Sequence, residues 1–229
     1  MMKDNIQLVE DKICAACRRS GRRAEEVTLI AVSKTKPVEA IREAMKSGII
    51  DFGENKVQEL VHKTESIKEN LNWHLIGHLQ RNKVKYVIDK VCLIHSVDSY
   101  RLAEQVQAEA LKVGRIINIL IQVNVAKEDS KFGITAEQAS KLISQISKLS
   151  NIRVKGLMMI APSVDNPEDN RIYFKNLKKL YVDIKSKNID NVNMEILSMG
   201  MTGDYEVAIE EGATMIRVGT GIFGERNYE

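Results

Sequence analysis

The sequence has 229 residues and a mass of 25.9 kDa, and 44% of its residues are hydrophobic and 28% charged. A chain of this size and composition buries roughly 70% or more of its unfolded surface, which excludes a fibrous or disordered protein. Its 34 basic and 31 acidic residues leave a formal net charge of +3. This near-balance argues against nucleic-acid binding driven by bulk charge.

The cytoplasm is the expected location. No apolar run in the sequence reaches the ~18–20 residues that span a bilayer. Acidic and amide side chains interrupt the first residues, where a signal peptide would have its apolar core. Three cysteines are too few for a disulfide framework, as is typical of proteins in a reducing compartment. We therefore expect a cytoplasmic protein with no membrane partner.

The predicted elements begin with a helix over 1–19, in which apolar residues recur at helical spacing from Ile6 to Cys17. Eight short apolar runs follow, and each precedes a segment whose composition suits a helix. Two of these helices, over 37–47 and 136–149, carry clear apolar stripes. The predicted strands are Val27–Ser33, Ile49–Phe52, Trp73–Ile76, Val91–Ser96, Ile116–Asn124, Val154–Ile160, Met194–Ser198 and Thr214–Val218.

This alternation of strands and helices matches a (β/α)₈ barrel in count and total length. Most strands are continuous apolar runs, as expected for parallel strands covered by helices. A doubly wound open sheet would give a similar alternation, and periodicity does not separate the two folds. Eight strands close well, and the polar residues cluster where strands end. We therefore predict a single α/β domain over 1–229, a TIM barrel with an N-terminal helix.

Lys34 is the sharpest candidate for chemistry, because it directly follows the apolar run 29–32. A lysine at the carboxyl end of a barrel strand lies at the rim where barrels carry their active sites. Partly dry surroundings and the neighbouring cation Lys36 would favour a neutral amine, which attacks a carbonyl to form an imine. The alternative is a lysine that extends from the strand end to solvent.

Two glycine-containing loops follow the last two predicted strands. The first is Ser-Met-Gly-Met-Thr-Gly at 198–203, and the second is Gly-Thr-Gly at 219–221. Glycine lets backbone N–H groups approach an anion, and hydroxyl groups add further donors. Barrels frequently bind phosphate with the loops after strands seven and eight. The loops therefore indicate a phosphate site, although glycines also serve simply to turn the chain.

Arg217 lies among apolar neighbours within or at the end of the eighth predicted strand. A buried guanidinium needs partners, so Arg217 either pairs with a carboxylate such as Glu195 or faces a ligand. An imine-forming lysine, a phosphate site and a cation between them describe a site for pyridoxal 5′-phosphate (PLP). The same lysine and loops would also suit a phosphosugar aldolase.

No metal site is expected. His74 and His78 are four residues apart, but Gly77 and the preceding strand argue against a helix that would place both on one ion. Cys14 and Cys17 form a C-A-A-C pair inside the first helix, and the sequence offers no second pair.

Ordered motifs along the whole chain resemble those of the PLP homeostasis proteins, the YggS/PROSC-type PLP-binding proteins. This resemblance implies a single-domain barrel similar to the N-terminal domain of bacterial alanine racemase. The motifs are AVSKTKP (31–37), FGEN (52–55), VQE (57–59), WHLIGHLQRNK (73–83), KFGI (131–134), GLMMIAP (156–162), LSMGMTGDYEVAI (197–209) and RVGTGIFGER (217–226).

The resemblance also implies the cofactor and its site. Lys34 would carry PLP as a Schiff base, and Arg217 would face the pyridine nitrogen. Ser198 and the backbone at Gly219 and Thr220 would hold the phosphate group. The full set of residues expected to bind PLP is Lys34, Asn55, His74, Ser198, Met199, Arg217, Gly219 and Thr220.

Within that set, Asn55 and His74 would lie near the ring or its approach. Two positions depart from the family pattern. Lys56 stands where the family often has tyrosine, and Thr202 stands where it often has serine. The second departure weakens the expectation of a phosphate role at Thr202.

The resemblance favours a carrier over an enzyme. An arginine beside the pyridine nitrogen leaves that nitrogen unprotonated, which makes PLP a weaker electron sink. Racemases with the resembling barrel add a tyrosine, as a second acid or base, from a further C-terminal domain. This sequence ends at Glu229, and Tyr228 is the nearest substitute.

We therefore expect a protein of intracellular PLP homeostasis that buffers the cofactor without efficient turnover and affects amino-acid and keto-acid pools indirectly. A PLP-dependent amino-acid racemase is the alternative. The expected partners are PLP and, as recipients, PLP-dependent apoenzymes, with no nucleic acid. We expect the chain to be a monomer or a weak homodimer.

Overall fold

The computed structural model describes residues 1–128 and 130–225, and Tyr228 lies outside them. Its eight strands form one closed barrel in chain order. All neighbouring pairs are parallel, and β1 closes the ring by pairing with β8 in register from Thr28–Met215 to Ala31–Val218. The predicted TIM barrel is confirmed, and the open sheet is excluded. The strands are β1 Thr28–Val32, β2 Asp51–Glu54, β3 Asn72–Leu75, β4 Leu93–Val97, β5 Ile117–Gln122, β6 Ile152–Met158, β7 Val192–Met201 and β8 Met215–Val218.

Helices surround the barrel, and the predicted N-terminal helix is present. The α-helices are α1 Met2–Arg19, α2 Val38–Met45, α3 Val57–Ser66, α4 Tyr100–Lys112, α5 Ala136–Ile146, α6 Arg171–Lys185, α7 Tyr205–Glu210 and α8 Thr220–Phe223. A 3₁₀ helix, Arg81–Tyr86, stands after β3 where the composition predicted an ordinary helix. No helix among the described residues is long and apolar enough to cross a bilayer.

Two strands, β2 and β7, differ from the prediction in ways that affect the site, and the ends of the other strands differ by at most two residues. β2 begins and ends two residues later than predicted and includes Glu54, which hydropathy alone places in a loop. Glu54 is tolerated in a buried strand because Lys63 of α3 supplies an opposite charge at 2.7 Å. β7 runs on to Met201, three residues past Ser198, and so brings the following loop to the rim of the barrel.

The apolar core has two parts. The larger part lies between the barrel and its helices, and it includes outward-facing strand residues such as Ile94 and Leu197. The smaller part contains side chains that alternate with these along the strands and therefore fill the inside of the barrel. Its members are Leu93, Leu120 and Met158, with Cys92, Ile160, Ile196 and Met215 packed against them. The barrel interior also holds polar side chains, among them His95, Ser198 and Arg217, which lie at and below the floor of the candidate site.

Candidate cofactor site

A cavity of about 400 Å³ opens at the carboxyl ends of the strands. Lys34, Arg217 and the two glycine-containing loops all reach this one cavity, as the sequence predicts for a site at this end of a barrel. The lining residues are Val32, Lys34, Asn55, Ile76, Gly77, His78, Gln122, Phe132, Ile160, Met201, Thr202, Gly203, Arg217, Gly219 and Thr220.

Lys34 lies in a tight turn directly after β1. The backbone N–H of Lys36 donates to the carbonyl of Ser33 at 3.0 Å, and Thr35 has a φ of 64°. A β-branched residue with positive φ is strained, so the surroundings must hold this turn in place. The ammonium group of Lys36 donates to carbonyls at 223–225. Lys36 is therefore bound at the end of α8, a contact that the sequence did not predict.

A buried cluster of charges, which we call the clamp, fixes this turn from behind. Lys63 donates to the carbonyl of Ser33 at 2.8 Å and to the carboxylates of Glu54 at 2.7 Å and Glu59 at 2.8 Å. The hydroxyl of Ser33 donates to Glu54 at 2.6 Å, and the backbone N–H of Thr35 donates to Glu59 at 2.5 Å. The clamp therefore holds the residues on both sides of Lys34.

The electrostatics of the clamp are dominated by burial. Burial raises the pKa of Glu54, and the Lys63 ammonium group opposes that rise. Among the described residues, the second carboxylate oxygen of Glu54, Oε2, has no hydrogen-bond partner. A buried ion pair of this kind is costly to break, because either partner left alone is a charge without solvent.

Arg217 forms part of the cavity floor and is almost fully buried. Its Nη1 donates to the hydroxyl of Ser198 at 2.6 Å, and its Nη2 donates to the carbonyl of Met159 at 2.8 Å. Burial lowers the pKa of Arg217 to about 10, and Asp204 acts in the opposite direction. Glu195, the carboxylate named as a possible partner, instead accepts from Lys155 at 2.8 Å. Of the two predicted alternatives, the structure therefore favours an arginine that faces the cavity.

A chain of polar side chains continues from Arg217 through the barrel interior. Ser198 Oγ lies 3.1 Å from His95 Nδ1, and His95 Nε2 lies 3.0 Å from His74 Nδ1. His74 Nε2 lies 2.9 Å from the carboxylate of Asp51 at the start of β2. We call these five side chains the relay. Its four contacts join β8, β7, β4, β3 and β2 across the interior.

Five of the eight predicted site residues line the cavity: Lys34, Asn55, Arg217, Gly219 and Thr220. His74 and Ser198 lie deeper, in the relay, and do not line it. Met199 packs in the apolar layer between the barrel and its helices. Its side chain leaves the barrel because it neighbours Ser198, and successive side chains of a strand point to opposite faces.

The loops after β7 and β8 meet at one side of the cavity. The backbone N–H of Gly219 donates to Thr202 Oγ1 at 3.2 Å, and Thr220 begins α8 beside them. Asp204 accepts from the backbone N–H of Met201 at 2.7 Å and so fixes the bend that carries Thr202 and Gly203. Hydroxyl and backbone N–H donors are the groups that bind a phosphate.

Asn55 reaches the cavity because β2 and β3 approach each other closely where they end. A Cβ atom on Gly77 would lie 2.3 Å from the backbone oxygen of Asn55. Glycine is therefore required at this position to let the two loops meet. The neighbouring residue, His78, stacks on Phe132 with ring centroids 3.9 Å apart and covers part of the cavity mouth.

Lys63 and His95 were not predicted as parts of the site, although the sequence contains a signal for each. Lys63 follows Val57 and Leu60 at intervals of three residues, which places it on the buried face of α3. His95 stands inside the apolar run of β4, just as Arg217 stands inside that of β8. A polar side chain inside a buried strand must find a partner, so the argument made for Arg217 also applies to His95.

Known proteins with similar sequences and structures agree on the family. The profile described as alanine racemase, N-terminal domain, matches residues 10–227. A pyridoxal phosphate homeostasis protein of Aquifex aeolicus is 45% identical over 226 residues, which cover 98% of each chain. PipY of Synechococcus elongatus, solved with PLP bound, matches with a TM-score of 0.83 at 34% identity, covering 98% of this chain and 100% of PipY.

An alanine racemase of Clostridium difficile matches with a TM-score of 0.74 at 14% identity, which shows the fold alone. The match covers 99% of this chain and 58% of the racemase. The fold, the ordered motifs and the full-length relatives together give the identity that the sequence predicted. The chain belongs to the pyridoxal phosphate homeostasis proteins, within the alanine racemase N-terminal domain family.

Proposed function

We propose that this protein binds PLP as a Schiff base on Lys34 and serves intracellular PLP homeostasis as a carrier, without efficient catalytic turnover. One observation carries the proposal: an amine, a buried guanidinium and a set of phosphate-type donors line the same cavity. PLP has an aldehyde, a pyridine nitrogen and a phosphate group, and each of these has a matching group in the cavity.

Different residues of the cavity would bind different parts of the cofactor. Lys34 supplies the amine, and Arg217 presents a donor to the pyridine nitrogen from the cavity floor. Thr202, Gly203 and the loop at 219–220 supply donors for the phosphate group, so Thr202 takes the role that the resemblance gave to Ser198. Bound PLP would supply an aldehyde and a ring that withdraws electrons. An arginine donor keeps the ring nitrogen unprotonated and makes that withdrawal weak.

The proposal of weak turnover rests on the composition of the cavity. A racemase needs a second acid or base across the ring from the lysine. None of the described residues that line the cavity is a tyrosine, and the ring of the lining histidine, His78, is stacked on Phe132. The relatives named above as pyridoxal phosphate homeostasis proteins support the carrier role, whereas the likeness to alanine racemase concerns the fold.

The visible absorption spectrum of the purified protein tests this proposal. We expect a yellow protein with the band of a lysine–PLP imine and a colourless Lys34→Ala variant. The exposed Lys68 offers a matched control, and Lys68→Ala should remain yellow. Colour that persists in Lys34→Ala would contradict the assignment of the amine.

An amino-acid panel then separates the carrier from the racemase. We expect no racemisation of alanine or other amino acids above that of Lys34→Ala. Turnover that disappears in this variant would establish the racemase alternative instead. A colourless wild-type protein that borohydride couples to a sugar phosphate would establish the aldolase.

We further propose that PLP-dependent apoenzymes receive the bound cofactor. A Schiff base forms reversibly, so Lys34 can release PLP to another amine. An apoenzyme mixed with the loaded protein should regain activity while the yellow band of the carrier decreases. An apoenzyme that stays inactive while that band persists would contradict this transfer.

A further inference from the structure

We propose that two buried histidines, His74 and His95, are positioning residues for Arg217. They belong to the relay, which starts at Arg217, passes through Ser198 and both histidines, and ends at Asp51. This inference rests on the proposed function, in which Arg217 faces the pyridine nitrogen. Every hydrogen bond of the relay is donated in the same direction, from Arg217 toward Asp51. This arrangement keeps the remaining N–H groups of the guanidinium available to the cavity.

The two ends of the relay determine its direction. Arginine carries donors only, and an ionised aspartate carries acceptors only. Arg217 Nη1 donates to Ser198 Oγ at 2.6 Å, so the oxygen of this hydroxyl is an acceptor on the arginine side. Its own proton is then available to His95 Nδ1, which lies 3.1 Å away.

Donation continues in the same direction to the carboxylate. If His95 Nδ1 accepts, a neutral ring carries its proton on Nε2 and donates it to His74 Nδ1 at 3.0 Å. His74 then carries its proton on Nε2 and donates to Asp51 at 2.9 Å. Every link therefore joins one donor to one acceptor while both histidines are neutral.

The opposite direction requires an additional charge. His74 Nδ1 would have to donate to His95 while His74 Nε2 still faces the carboxylate of Asp51, which makes His74 an imidazolium. His95 Nδ1 would then donate to Ser198, whose oxygen would receive two donors. Because the histidines are buried, an added charge inside the barrel is unfavourable.

The surroundings of the relay support neutral rings. Full burial holds the pKa of His95 well below its usual range, and the positive charge of Arg217 acts in the same direction. Cys92 lies 3.6 Å from His74 Nε2, and burial raises the pKa of its thiol to about 12, which keeps it uncharged. The charged groups that face the relay are therefore Asp51 at one end and Arg217, with Asp204 near it, at the other.

The relay holds Arg217 in place, and no carboxylate in the described part of the chain forms an ion pair with it. Ser198 and the carbonyl of Met159 take one N–H each, both as acceptors. A carboxylate in direct contact would compete with a ligand for the remaining donors. The relay instead leaves the carboxylate at Asp51, four contacts away, and directs the free donors of Arg217 toward a ring nitrogen that accepts.

Nitrogen-15 NMR of the PLP-free protein tests the direction directly. The sequence has four histidines, so single variants assign every ring. We expect both His74 and His95 as neutral rings protonated at Nε2, and His95 unchanged between about pH 5.5 and about pH 8. A proton on Nδ1 of either ring, or a titrating His95, would overturn the proposal. Exposed His62 lies outside the relay and is the matched control for the assignment.

PLP affinity tests the consequence for Arg217. His95→Leu removes both links and should weaken PLP binding about tenfold, the effect of losing one hydrogen bond to a charged group. His95→Gln retains a donor and an acceptor and should restore most of that loss. Unchanged affinity in His95→Leu would overturn the positioning role. Wild-type protein that binds no PLP would instead contradict the proposed function, and the NMR result would still decide the direction of the relay.

Discussion

The two ends of the cavity are held by different chemistry. At the Lys34 end, the clamp uses a buried ammonium group and two carboxylates, and it acts mainly on the backbone of the turn. At the Arg217 end, the relay connects Arg217 to Asp51 through Ser198 and two histidines, and it acts on the guanidinium itself. One end therefore depends on charge balance and the other on the direction of hydrogen bonds.

This difference fits what each end would do in the proposed function. Lys34 would exchange a covalent partner from a turn that stays fixed. Arg217 would present the same donors to every bound ring, and its side chain is almost fully buried. Breaking the clamp should therefore mainly lower the stability of the protein. Altering the relay should also change how that stability depends on pH.

The largest expected effect comes from Lys63→Met. This variant leaves the buried carboxylate of Glu54 and the carbonyl of Ser33 without their cation, which should cost about 3–5 kcal/mol in the free energy of unfolding. Chemical denaturation measures the change. Lys68→Met alters an exposed lysine instead and should cost less than about 0.5 kcal/mol.

A double variant sharpens this result. Adding Glu54→Gln to Lys63→Met removes the unpaired charge and keeps an acceptor for the Ser33 hydroxyl, so it should recover part of the lost stability. If the double variant is less stable than Lys63→Met alone, charge balance is not what the clamp provides.

In the relay, Ser198→Ala should lower the free energy of unfolding by about 1–3 kcal/mol. It leaves a buried donor of Arg217 and an acceptor of His95 without a partner. Ser96 is a matched control. It is equally buried, and among the described residues its hydroxyl has no hydrogen-bond partner. Ser96→Ala should therefore be neutral or stabilising in the same denaturation assay. Equal losses from both variants would mean that the relay contributes no more than packing.

His95 should also make stability depend on pH. Its folded pKa lies well below the ordinary value of 6.5, so the unfolded chain takes up a proton that the folded chain does not. Stability is therefore lost as the pH falls through about 6.5, by about 1 kcal/mol between about pH 7.5 and about pH 5.5. His95→Gln should remove this contribution, and His62→Gln should leave it. The same pH dependence in His95→Gln and wild type would contradict a neutral His95.

The smallest effect is expected at Thr35, whose positive φ strains the turn that carries Lys34. Thr35→Gly should relieve this strain and stabilise the protein by about 0.5–1 kcal/mol, as thermal denaturation would show. Asn188 also has a positive φ, but asparagine adopts it readily. Asn188→Gly should therefore change little. A loss of stability in Thr35→Gly would show that the clamp already compensates for the strain.

The sequence predicted the barrel because each strand is a local apolar run. It predicted Lys34 and Arg217 as site residues because Lys34 directly follows such a run and Arg217 stands within one. The relay depends on contacts that local patterns do not contain. His95 and Ser198 are separated by 103 residues, and they meet only because the closed barrel turns the inner faces of β4 and β7 toward each other. The positions of Ser198 and Met199 likewise depend on which strand face points inward, which closure decides.

Peptide mapping by mass spectrometry after borohydride reduction tests the central claim most directly. Reduction makes the Schiff base permanent, so the label remains on the amine that holds PLP. We expect one equivalent of label on Lys34 in the wild-type protein and none at this position in Lys34→Ala. An unlabelled Lys34 beside another labelled lysine would contradict the account.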